Sequence, residues 1–319
     1  MNDALQASGV ALEPDHLIAL RPLALLAATE PALSPLPGGW ATRRKGRGQE
    51  IADLRDYQPG DDMRHIDPSA TARSGRLHVR QFQEERDRVA LLVADFRHPM
   101  LWGISRAFLS VVAAEALVLI GWRIAEDGGR VGLLALTDAE AVAVAPRPRA
   151  RGMLGVIGGL CRAHAGAVRR RIQVAQANAT HQPLPGLDQS LARIERICPP
   201  GADVFLASSF DSPGQDLAHQ LGDLARRRAL RLMEIEESLN LPTGRYPIQT
   251  DNGHWAQVQV RSSHHMKRDF AAANALSDLR GHSSITLRAS AAPSDLAYDI
   301  ATGWTMTQQP SSAAGRRHG

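Results

Sequence analysis

The chain is predicted to be an α/β protein with a doubly wound, mostly parallel sheet flanked by helices, and three observations lead there. Val89 to Ala94 (V-A-L-L-V-A) is a continuous apolar run, as expected of a strand covered on both faces. Two similar runs follow, Asp203 to Ala207 and Leu230 to Ile235. The segments between them carry helical patterns, so the strands pair in parallel through right-handed crossovers.

The elements follow in order. His16 to Ala28 places Leu17, Leu20, Ala24 and Ala27 on one helical face, with Pro22 predicted to kink or split the helix. Pro31, Pro35 and Pro37 then mark an extended linker. Gly46 to Arg86 is turn-rich, with breaks at Pro59-Gly60-Asp61 and Ser74-Gly75, and Leu77, Val79 and Phe82 alternate as in a half-buried strand. After the Val89 strand come a helix over Ile104–Glu126, a strand over Val131–Leu136 and a short strand over Ala141–Ala145 that pairs with it as a hairpin. Helices are predicted over 151–164, 187–197 and 215–228, and a hairpin over 246–249 and 255–260 turns at Asp251-Asn252-Gly253. A helix over 265–279 and a strand over 284–288 complete the pattern, and the small, basic end from Gln308 reads as disordered.

The chain thus divides into an N-terminal helix and linker (1–39), a β-rich module (40–86) and an α/β domain (87–240). A hairpin joining the β-rich module (241–262), the last helix and strand of the α/β domain (263–290) and a partly disordered tail (291–319) follow.

Composition narrows the function classes. Only Cys161 and Cys198 are present, which excludes a disulfide framework and suits a reducing, cytoplasmic setting. No secretory leader is visible, because Asp3, Glu13 and Asp15 occupy the start. The longest apolar stretch, Ala107 to Trp122, is interrupted by Ser110, Glu115 and Gly121 and reads as a buried helix, not a membrane span. The net charge of +4 comes with basic clusters at Arg43-Arg44-Lys45-Arg47, Arg147-Arg149-Arg151, Arg169-Arg170-Arg171 and Arg226-Arg227-Arg228. They fall in different predicted elements, and aromatics are only 4% of the chain, so a solvated surface is favoured over nucleic-acid binding. There is no H-E-x-x-H, C-x-x-C, G-x-S-x-G or phosphate-loop motif, so neither zinc, serine nor nucleotide chemistry is indicated.

One dense segment remains. Leu54-Arg55-Asp56-Tyr57-Gln58-Pro59-Gly60-Asp61-Asp62, with Arg64, Ile66, Asp67, Ala72 and Arg73, resembles the bacterial domain-of-unknown-function 58 family. Val204 to Asp211 (V-F-L-A-S-S-F-D) and Ile235 to Gly244 are similar to later segments of that family; Pro68, where the family has tryptophan, departs from it. The resemblance covers about Trp40 to Ala289 and implies a von Willebrand factor A-like domain with an extra β-rich module. It also implies a partnership with a MoxR-type AAA+ ATPase in maturing or remodelling a client protein; no nucleic acid and no cofactor are expected.

Such domains hold a divalent cation with D-x-S-x-S, a later threonine and a later aspartate. Here Asp95 keeps the first place, while Arg97 and Pro99 replace the serines, Leu187 the threonine and Ser209 the aspartate. The metal-ion-dependent adhesion site is therefore expected to be degenerate and metal-free, with Arg97 pairing to Asp95 or meeting a partner's carboxylate. The carboxyl edge carrying Asp95, Arg97, Pro99, Leu187 and Ser209 becomes the expected interaction face of a non-enzymatic adaptor. Arg55, Tyr57, Pro59, Gly60, Asp61, Asp62, Arg64, Asp67 and Arg73 read as a structural network. The competing functions are a hydrolase using Asp61, Asp62 and Asp67, and a basic nucleic-acid-binding protein.

Overall fold

Residues 89–95 explain the architecture, because their side chains alternate between two separate cores. Ala90, Leu92 and Ala94 join one apolar cluster, and Leu91 and Val93 join the other. That is the two-residue period of a strand covered on both faces. A computed structural model describes residues 7–26, 51–58, 62–82, 88–177, 186–237, 243–249, 255–260 and 283–306.

The chain forms two compact units, one of residues 1–38 with 88–319 and the other of residues 39–87. In the larger unit, α1 (Pro14–Ala19) and α2 (Arg21–Leu26) replace the single N-terminal helix, breaking just ahead of Pro22. The α/β body follows as β3 (Val89–Asp95), α4 (Leu109–Glu126), β4 (Arg130–Leu136), β5 (Val142–Pro148) and α5 (Arg149–Gln176). Then come α6 (Leu187–Leu191), α7 (Ile194–Ile197), β6 (Asp203–Ser208), α8 (Leu217–Arg227) and β7 (Ala229–Glu236). After β8 (Gly244–Gln249) and β9 (Trp255–Val260), the described chain ends with β10 (Ser283–Arg288), α9 (Pro293–Thr302) and β11 (Thr305–Met306).

The sheet order is β11-β10-β7-β6-β3-β4-β5. The pairs from β10 through β7, β6 and β3 to β4 are parallel, and the edge strands β5 and β11 are antiparallel. Chain direction across the sheet reverses between β3 and β6, so a crevice opens at their carboxyl ends; in doubly wound sheets ligand sites collect there.

Helices α1, α2, α4, α5 and α9 cover one face and α6, α7 and α8 the other. Helix α4 is buried on nearly every side, Glu115 included. Glu115 is paired with the Arg106 guanidinium, Nη2 at 2.5 Å, and hydrogen-bonded to His16 Nε2 at 2.9 Å, an answer to the charge that interrupts this apolar run. At the amino edge, Asp203 is held by Arg88 at 2.7 Å and Arg231 at 2.8 Å. No helix among the described residues is long and apolar enough to cross a membrane.

Several expectations change. Helix α4 begins at Leu109 instead of Ile104, because the preceding loop is tied down by Glu237, which accepts from Ile104 N at 2.9 Å and Ser105 Oγ at 2.5 Å. Helix α5 runs twelve residues beyond the expected end at His164. Residues 293–302, assigned to the tail, form α9, whose Leu296, Ala297 and Ile300 are buried. Strands β8 and β9 pair antiparallel as the expected hairpin, in a two-stranded sheet. The helix expected over 265–279 and the tail from 308 lie outside the described residues.

The smaller unit contains β1 (Ile51–Asp56), a 3₁₀ turn (Met63–His65), α3 (Pro68–Ser74) and β2 (His78–Phe82), with β1 and β2 antiparallel. The Asp62 carboxylate caps the 3₁₀ turn by accepting from Arg64 N at 3.0 Å, and Asp67 caps α3 by accepting from Ala70 N at 2.8 Å. Pro68, the departure from the family pattern, stands at the first turn of α3, where a missing amide costs nothing.

Candidate functional site

At the switch point, β3 ends in Asp95 and β6 in Ser208, both on the face shared with Leu91, Val93, Val204 and Leu206. Adjacent parallel strands in register at Ala94 and Ala207 bring these two polar groups together. Ser208 Oγ donates to Asp95 Oδ2 at 2.7 Å.

Arg97 completes the pair. Its Nη2 donates to Asp95 Oδ2 at 2.8 Å, its Nε to Oδ1 at 3.0 Å and its backbone amide to Oδ1 at 3.0 Å. Both side chains are 1% exposed. Asp95 therefore accepts four hydrogen bonds, and a carboxylate offers about four acceptor positions. Burial by itself would push the Arg97 pKa down; the Asp95 charge and hydrogen bonds overcome this, Asp138 and Asp188 add to them, and the net direction is up.

The loop after β6 closes over the guanidinium. Phe210 (φ 56°), Ser212 (φ 53°) and Gly214 (φ 85°) all adopt the left-handed region, curling the chain so that the carbonyls of Asp211 and Ser212 accept from Arg97 at 3.3 and 3.2 Å. Non-glycine residues in that region each cost about 1 kcal/mol or more. Ser208 Oγ supports the curl by accepting from Phe210 N at 2.9 Å. The same loop docks α6, whose Leu187 and Asp188 amides donate to the carbonyls of Ser212 and Pro213. Asp188 in turn accepts from Gln189 N at 2.7 Å and Asp216 N at 3.1 Å.

On the other side, Asp138 receives the backbone amide of His98 on both carboxylate oxygens, at 3.1 and 3.0 Å. Burial raises its pKa, opposed by that amide and by Arg97. A cavity of about 210 Å³ opens nearby, lined by Leu136, Thr137, Gln189 and Arg193 among others.

The expected site residues thus separate. Asp95 and Arg97 are joined. Pro99 sits in the 3₁₀ turn His98–Met100, its carbonyl accepting from Trp102 Nε1 at 2.9 Å. Leu187 is fully buried at the start of α6 and offers only its backbone. Ser209 turns aside, donating to Asp211 Oδ2 at 3.0 Å. The partner of Asp95 is Ser208, one residue earlier, which the sequence reading missed; strand alternation was the available signal. Asp138 and Asp188 were missed as well, the latter beside Leu187. Contrary to one expectation, Arg97 is enclosed and not presented to a partner's carboxylate.

In the smaller unit, Asp62 and Asp67 are occupied as helix caps, Arg64 and Arg73 are exposed, and Tyr57 N donates to the Leu77 carbonyl at 2.8 Å. Pro59, Gly60 and Asp61 and the Arg55 side chain lie outside the described residues.

The family model described as protein of unknown function DUF58 matches residues 53–279, most of the chain. The chain belongs to the DUF58 family. Two uncharacterized relatives, Rv1480 of Mycobacterium tuberculosis strain H37Rv and Mb1516 of Mycobacterium bovis, are each 34% identical to this DUF58 chain over 105 residues. That match spans 32% of this chain and 32% of the length of each relative. DUF58 membership covers both the smaller unit from residue 53 and the switch-point crevice.

Proposed function

We propose that this DUF58 protein is a non-enzymatic interaction protein of the von Willebrand A-like type, acting with a MoxR-type AAA+ ATPase on a client protein. The observation that carries this reading is the closed Asp95–Arg97 pair at the switch point. A cation at this place needs oxygen donors with free lone pairs. Asp95 has its acceptor positions filled, Arg97 has none to give, and the leucine at 187 and proline at 99 add no side-chain oxygen. The residues do not fit a divalent ion, so adhesion through a shared metal is set aside and recognition rests on direct contacts around the crevice.

The hydrolytic alternative is weaker. Asp62 and Asp67 each accept a backbone amide as helix caps, a role that accounts for them structurally without any chemistry. Both cysteines are free thiols, which suits the reducing cytoplasm we assign to the protein.

The test is purification of tagged protein from its native host, followed by mass spectrometry. An AAA+ ATPase retained in proportion to the bait supports the reading. A bait that comes down alone and turns over a hydrolysable substrate overturns it.

A further inference from the structure

The arginines of residues 147–171, scattered in the sequence, meet on one continuous support. Arg147 is exposed at the end of β5, and Arg149, Arg151, Arg162, Arg169, Arg170 and Arg171 all lie on α5. This corrects the expectation that these clusters occupy different elements. Residues 141–187 hold seven arginines and neither lysine nor acid, against +4 for the whole chain, so the remainder of the chain is −3. None of the seven is ion-paired among the described residues.

Geometry places the far end of this array at the switch-point edge. Strand β5 returns antiparallel to β4, with Pro148 opposite Arg130, so α5 starts at the amino edge of the sheet and climbs toward the carboxyl edge. By His164 it has reached that level, since the ring packs edge-on against Phe96, one residue beyond β3, at 5.2 Å. Helix α5 has 28 residues, about 42 Å at 1.5 Å per residue. Its supporting strand β4 has seven, about 23 Å. Ala167 is its last buried residue. The next turns therefore overhang the edge, where Arg169 and Arg170 are exposed, Arg171 is half-buried, and the Arg170 charge reaches the Asp138 carboxyl.

We propose that the overhanging end of α5, through Arg169, Arg170 and Arg171, is a docking surface for an aspartate- and glutamate-rich segment of a protein partner. This rests on the interaction-protein reading and supplies the chemistry that the enclosed Arg97 cannot. An acidic segment is favoured over a nucleic acid by the distribution of charge. A duplex is wide enough to bring its phosphates against the net-negative remainder, including Asp138, Asp211 and Asp216 near the same edge, and single strands lack aromatic platforms here. A single extended acidic chain is narrow enough to touch the arginines alone, with bidentate guanidinium–carboxylate geometry.

The test uses the full chain and a short fluorescein-labelled poly-glutamate peptide, followed by fluorescence anisotropy at rising salt. The expected result is binding that salt weakens steeply, reduced about tenfold or more in R169Q/R170Q/R171Q. It should persist in R196Q/R226Q/R227Q, which removes three exposed arginines from α7 and α8. Equal loss in both variants, no binding by the native protein, or tighter binding of a DNA duplex or of phosphatidylserine vesicles through the same arginines overturns the proposal. The peptide measurement needs no ATPase. Its failure is thus separate from a failed co-purification, which would remove the AAA+ partner while leaving the surface standing.

Discussion

Arg97 grips Asp95 from only two residues away, with two guanidinium nitrogens and its own backbone amide on the one carboxylate. The turn after β3 thereby neutralises its own acid, and each partner is a burial problem without the other. Arg97→Met should cost roughly 3–5 kcal/mol of stability, because a buried carboxylate is left unpaired. The double variant Asp95→Asn/Arg97→Met should cost clearly less than the sum of the two single changes, read from urea denaturation midpoints. Additive losses would show that the pair does not act as a unit.

Divalent cations should leave the native protein unmoved. Melting curves with excess Mg²⁺ or with a chelator are expected to coincide, since Asp95 already accepts four hydrogen bonds. A Mg²⁺-dependent rise in Tm that disappears in Asp95→Ala would refute this.

Stability should fall on mild acidification through His164. This ring is buried against Phe96 and bonded to Ser110 Oγ at 2.9 Å, and burial lowers its pKa from 6.5 to about 4. Above pH 6.5 the ring is neutral whether folded or not, and the contribution is intact. Between pH 6.5 and about 4 the unfolded chain takes up a proton that the folded chain refuses, so stability drops as pH falls and levels off below about 4. The loss is on the order of 3 kcal/mol. His164→Gln should flatten this part of the pH profile, which chemical denaturation at a series of pH values will read.

Gly214→Ala should be among the most damaging single changes in the loop after β6. Its backbone is at φ 85°, and an added Cβ would run into the Asp188 carboxylate. The expected loss is roughly 2–4 kcal/mol, against only about 1 kcal/mol for Gly201→Ala, where the φ of 84° imposes strain but the space is open. Matching Tm values for the two variants would contradict the crowding described for Asp188.

The sheet was legible because burial on both faces writes itself into unbroken apolar runs, and β3, β6 and β7 follow from that, while the β8–β9 hairpin was legible from the turn residues between its strands. Asp95 and Arg97 were legible because a charged pair at a strand end stands out in an apolar setting. Ser208 was not, since Ser208 and Ser209 look alike until alternation along β6 assigns each to a face. The last twelve residues of α5 escaped because apolar periodicity stops where the helix leaves the sheet, while alanine, arginine and glutamine still favour helix. Helix α9 had its signals, Pro293 at the start and Asp295 in the first turn, but they sat beyond the last expected strand, in residues grouped with the tail.

Helices α1 and α2 bury Leu17, Leu20 and Ala24 in the same cluster as residues of α4 and of α9, which ends at Thr302. A ribosome makes these two helices before α4 and α5, and the α9 surface that finishes their cover hundreds of residues later still. Until α4 and α5 have been made, the nascent chain exposes these apolar side chains, so the stretch around residues 17–24 is where a holdase would engage it during synthesis.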